Sequence, residues 1–98
     1  MKIKNILLVL VLALTASNAY SSEWKEKCKS ISELAEMIMQ SRQDGESMAK
    51  MIDSTGDGPN NLIIAAYDKP RYSTKKHQQR TIEDFRDSVY LECVKKLR

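Results

Sequence analysis

Two cysteines constrain this chain more than anything else in it. Cys28 and Cys93 are its only thiols, and they stand near opposite ends of the segment that can fold. Whether they pair depends on where the chain goes, and the first nineteen residues bear on that. Lys2 and Lys4 give a positive start, Ile6 to Leu14 is an unbroken apolar run, and Ser17-Asn18-Ala19 offers the small residues that a signal peptidase reads. This is the pattern of a secretory leader over 1–19, cut after Ala19. Nine apolar residues are too few to cross a bilayer, which takes about 20, so no stable membrane span is expected once the leader is removed. No cysteine follows the cut, which disfavours a lipoprotein. The expectation is a single domain, 20–98, in the periplasm or secreted.

In that compartment two cysteines in a small chain form one bridge, and only one pairing exists. Closing a loop of about 65 residues removes denatured-state entropy worth about 4 kcal/mol in the chain-entropy model. That is a large share of the stability of a small domain, about 5–15 kcal/mol. Redox-active pairs usually sit in C-x-x-C and a structural zinc needs four ligands; the sequence supplies neither.

The rest of the chain reads as helix. Three Gly and two Pro are few for a turn-rich β-fold, and no segment alternates apolar with polar. Trp24, Cys28, Ile31, Ala35 and Ile38 recur at steps of four and three, a helix face running to about Gln43. Ser30 to Glu33 also matches a capping box, but the unbroken stripe favours the earlier start near Ser21 or Ser22. Gly45 suits a helix end. A short helix over about 46–54 puts Met48, Met51 and Ile52 on one side. Ser54 to Asn61 is a Gly-, Pro- and Asn-rich loop, and Asn60 or Asn61 caps a third helix, Leu62 to about Tyr67. Pro70 stops it. The last helix, about 74–96, starts at Ser73 or Thr74 and carries Ile82, Phe85, Val89, Cys93 and Leu97 on one face.

A bridge between Cys28 and Cys93 sets the two long helices antiparallel. It then predicts Ile31 near Tyr90, Ala35 near Arg86 or Phe85, and Ile38 or Met39 near Ile82. The expected fold is all-α: two long antiparallel helices joined by one disulfide and covered by two short ones.

Candidate chemistry is thin. Asp53 to Gly58 has the D-x-x-x-D-G opening of a calcium loop, but Thr55, Asn60 and Ile64 stand where an EF-hand needs a ligand, a hydrophobe and a bidentate Glu. Met37, Met39, Met48 and Met51 are close together, as in copper carriers, although methionine also fills irregular cores. Lys69, Arg71, Lys75, Lys76 and Arg80 surround His77, with Tyr67 and Tyr72 alongside. Such a cluster reads as a solvated face or as a site for acidic protein or phosphate-bearing lipid; nucleic acid is not expected outside the cytoplasm. Glu33 with Glu36, and Glu83 with Asp84 and Asp87, read as exposed faces with basic neighbours such as Arg86. The sole imidazole has no nucleophile motif beside it, so neither catalysis nor a cofactor or metal is expected. Residues 20–58 carry a net charge of −3 and residues 59–98 one of +4. Halves of opposite sign tend to lie together, and the asymmetry can steer a charged partner. Arg42, Gln43, Tyr67 and Arg71 form the candidate polar surface site, since an Arg-Gln pair beside a glycine bend is not needed for packing. The bland alternative is a hydrogen-bond network at a helix end.

Cys28, then Leu34-Ala35, Ile38-Met39, Arg42-Gln43 and Gly45, then Ala66-Tyr67, and finally Phe85, Tyr90 and Cys93 make up a pattern covering nearly the whole expected mature chain. It resembles a loose group of small exported proteins from proteobacteria and their phages. That resemblance implies export and fold, and carries no activity. Size, address and the cysteine pair are also similar to the periplasmic acid-stress chaperones of the HdeA type. The first expectation is therefore an exported, non-catalytic binding protein acting on an envelope or exported protein. The second is an acid-activated chaperone, separable by dye binding and suppression of client aggregation near pH 2–3. The third is a Cu(I) carrier, separable by titrating the methionine cluster.

Overall fold

A computed structural model describes residues 23–98; the expected leader lies outside them. Four helices and no strand occur among the described residues: α1 (Glu23–Asp44), α2 (Met48–Thr55), α3 (Asn60–Tyr67) and α4 (Lys75–Leu97). Helices α1 and α4 pack along their length, and Cys28 and Cys93 form the disulfide, with Cα atoms 5.5 Å apart, inside the usual range. The antiparallel register follows. Arg86 Nη1 on α4 meets Glu36 Oε2 on α1 at 2.8 Å, and Ala35 with Phe85, and Ile38 with Ile82, share one buried cluster. No helix among the described residues is long and apolar enough to cross a membrane.

Local chemistry accounts for most of the boundaries. Gly45, at φ 95°, ends α1: Glu46 N–H donates to Ser41 O at 3.0 Å and Gly45 N–H to Arg42 O at 3.2 Å. These are the two bonds of a Schellman cap, whose left-handed residue favours glycine. Ser47 caps α2, accepting from Lys50 N–H at 3.1 Å, and Thr74 caps α4, accepting from His77 N–H at 3.3 Å. The third helix departs from expectation. Asn60 is its first residue and not its cap; Pro59 holds the cap position, and its carbonyl accepts the first bond, from Ile63 N–H at 3.0 Å. Proline needs no N–H there and the carbonyl alone opens the helix, so the amide of Asn60 is released from capping; its Oδ1 is buried without a partner.

The core is not centred on the long hairpin. Ala35, Ile38 and Met39 of α1, Met51 of α2, Ile63 and Ala66 of α3, and Ile82 and Phe85 of α4 form the buried cluster. All of them lie in the half of the hairpin away from the disulfide. Full burial of an Ile, Met or Phe side chain contributes about 1.5–3 kcal/mol each, so apolar stabilisation is concentrated at that end. At the other end Ile31 and Val89 are only half buried, and the covalent bond holds the helices where side-chain packing is thin.

Candidate functional site

The four candidate residues do come together, and each donates to a backbone carbonyl of the fold. The C-terminal end of α1 faces the segment between α3 and α4. Gln43, two residues before Gly45, is 1% exposed. Its Nε2 donates to Pro70 O at 2.9 Å and its Oε1 accepts Tyr72 N–H at 2.8 Å. The side-chain amide thus pairs with the loop backbone as a neighbouring strand would. Arg42 Nε and Nη2 fork onto Lys69 O at 3.2 and 3.1 Å, and its guanidinium lies over the Tyr67 ring, 5.2 Å from the centroid. Arg71 Nε returns to Gln43 O at 3.0 Å, a cation on a terminal helix carbonyl, where the helix dipole favours it. Tyr67 Oη donates to Glu46 O at 2.8 Å. Burial and the negative charge of Glu46 raise the Tyr67 pKa, with Arg42 opposing, so the phenol keeps the proton that it donates.

Gln43 is therefore buried and not part of a surface, because the loop carrying Pro70 folds back over it and presents a carbonyl and an N–H that one side-chain amide satisfies together. Arg42, Tyr67 and Arg71 sit around it as a clasp between α1 and the 68–74 segment. Gly45 belongs to the same unit: a Cβ there would lie 3.0 Å from Arg71 Nη2.

The other candidates disperse. Asp53 and Thr55 are in the last turn of α2, with Thr55 Oγ1 donating to Met51 O at 2.9 Å, so the calcium-like segment is helical at its opening. Met39 and Met51 are in the core and Met48 packs against it, whereas Met37 is 67% exposed. Among the described residues no three His, Cys, Asp or Glu gather as a metal site. His77 Nδ1 lies 2.7 Å from Thr74 Oγ1 at the start of α4. Arg86 bridges Glu36 and Asp87, whose hydrogen bonds raise its pKa further; the expected Glu83 partner instead accepts from Gln79 Nε2 at 3.3 Å.

A second feature runs from Phe85 and Lys69 toward the disulfide. Helix α3 packs on α1 and leaves a gap to α4, forming an open groove of about 540 Å³. Its apolar lining is Ile31 of α1, Leu62 and Ala65 of α3, and Phe85, Val89 and Leu97 of α4, with Cys93 among them. Lys27, Lys69 and Lys96 stand on its edge, and Glu92 is the one acidic residue there. Ligand-binding clefts typically measure about 300–1,000 Å³ and are mostly apolar with a few polar groups. Sequence reasoning missed this groove. The signal was present in α4, whose apolar face runs from Ile82 to Leu97 while the eight residues of α3 are too few to cover it.

No family model matches the chain, and neither a curated protein nor a solved structure does.

Proposed function

We propose that the chain is an exported, helical, non-catalytic binding protein that acts on an envelope protein in the periplasm. The observation that carries this reading is the open apolar groove edged by three lysines. A surface of that kind offers shape, apolar area and charge to a partner, and the residues around it supply no paired acid and base or activated nucleophile. The disulfide fits an oxidising compartment, and the leader pattern supplies the route there. The resemblance to small exported proteobacterial and phage proteins supports the same address.

The test has two parts. Intact-mass measurement of protein recovered from the envelope fraction should give the chain 20–98 with its two sulfurs oxidised. Affinity capture with that material from an envelope extract, followed by mass spectrometry, should retain a protein in stoichiometric amount. Reduced thiols, a retained leader, or capture no better than an unrelated exported helical protein would overturn the reading.

A further inference from the structure

The groove has a length and a charge pattern that narrow what can lie in it. Phe85, Val89, Cys93 and Leu97 follow one another at every fourth residue of α4. They form an apolar rail about 18 Å long at 1.5 Å per residue, or about three helical turns. Lys69 stands at the Phe85 end, while Lys27 and Lys96 stand at the disulfide end near Cys93 and Leu97. None of the three takes part in an ion pair among the described residues, whereas Glu92 is paired with Lys95 at 3.6 Å.

We propose that this groove docks an acidic amphipathic helix of about three turns belonging to a partner protein, an assignment that rests on the binding reading above. Two features select a helix. Its walls are helices, whose backbone N–H and C=O groups are bonded internally, so an extended peptide would find no ladder to join and would bury unpaired backbone. A helix brings its own backbone already satisfied and presents apolar side chains at the matching spacing. Two features select acidic flanks. Lysines stand at both ends of the rim, with Asp84 in the hollow beside Lys69, so a ligand with a single anionic head, such as a fatty acid, meets one end only, and carboxylates several turns apart meet both. The lysines lie on the rim and not on the apolar floor, which is where charges steer a partner and set its orientation.

The experiment uses the oxidised chain 20–98 and two fluorescein-labelled, side-chain-stapled helical peptides of about 14 residues. Both carry Leu at every third or fourth position; one has Glu on the flanks and the other Lys. Anisotropy should show binding of the Glu peptide, weaker by about tenfold or more for a Lys27→Glu/Lys69→Glu/Lys96→Glu variant, which should now prefer the Lys peptide. The preference should shrink as salt rises. Methyl NMR should place the peptide against Leu62, Val89 and Leu97, with Ile52 unmoved. A Lys→Gln triple variant, expected to lose part of the preference, keeps the test decisive if the reversed variant folds poorly. Equal affinity for the two peptides, methyl shifts elsewhere, dodecanoate displacing the Glu peptide at equal concentration, or self-association abolished by the lysine reversal would each overturn the proposal, the last two in favour of a lipid or a second copy. A partner from envelope extract that the wild-type and reversed chains capture equally removes the groove assignment and leaves the binding reading standing. Capture by neither removes both.

Discussion

The two ends of the hairpin are held by different physics. At the α1 C-terminus Gln43, Arg42, Arg71 and Tyr67 direct their donors at backbone carbonyls of the loop and of the helix end, and the apolar cluster lies beneath them. At the disulfide end few apolar side chains are fully buried, a groove stands open, and one covalent bond keeps the helices in register. A region can remain open and apolar without loosening the fold when its geometry is fixed by a bond that does not depend on burial. Stability and availability are thereby assigned to opposite ends of the same pair of helices.

The largest expected effect breaks that division. Replacing Cys28 and Cys93 by Ser should lower unfolding free energy by about 4 kcal/mol, measured by urea denaturation. Hydrogen exchange should then accelerate first in α4 beyond Val89, while amides near Ile82 remain protected longest. Uniform acceleration along α4 would show that the two ends are not separate.

Next comes Gln43→Ala. It leaves Pro70 O and Tyr72 N–H without their partner in a part-buried position, at a cost of about 1–2 kcal/mol, again read from denaturation. A loss below about 0.5 kcal/mol would mean that water replaces the amide freely and that the clasp is not a closed end. Gly45→Ala tests the same end more gently. Its φ of 95° and the 3.0 Å approach of Arg71 Nη2 predict a loss of about 1–2 kcal/mol, and Arg71→Ala should relieve part of it.

The smallest effect is one of pH. The raised Tyr67 pKa means that the folded state holds the phenolic proton more tightly than the unfolded chain. The associated stability is complete below the unfolded value, about 10, and is lost as pH rises through the folded value. Tyr67→Phe should flatten that alkaline decline and leave the neutral-to-acid limb unchanged; an identical alkaline limb in both proteins would assign the decline to other groups.

The chain's periodicity made the long elements legible. Cys28, Ile31, Ala35 and Ile38 on one helix, and Ile82, Phe85, Val89 and Cys93 on the other, have the spacing of a buried face, and a single disulfide fixes their register. Thr74 and Gly45 marked their ends because capping chemistry is local. Asn60 opens α3 and does not cap it because proline holds the cap position through its carbonyl alone, which composition does not distinguish from an Asx cap. The sequence sets Gln43 among its neighbours but leaves open whether it faces a surface or a helix-end network, and the structure shows the network. The direction of an amide depends on where a loop 27 to 29 residues later comes to rest, and no local pattern encodes that. The groove was only half legible: the apolar face of α4 outruns the eight residues of α3, but where α3 comes to rest, and so where the space opens, is a tertiary matter.

The bridge also decides how the molecule breaks. The segment 56–58 between the two short helices contains two glycines and is exposed, where proteases cut most readily. A single cut there divides the polypeptide into two fragments, each containing one cysteine of the pair. The nicked protein migrates as one species until a reductant is added, so a gel run without thiols conceals the damage.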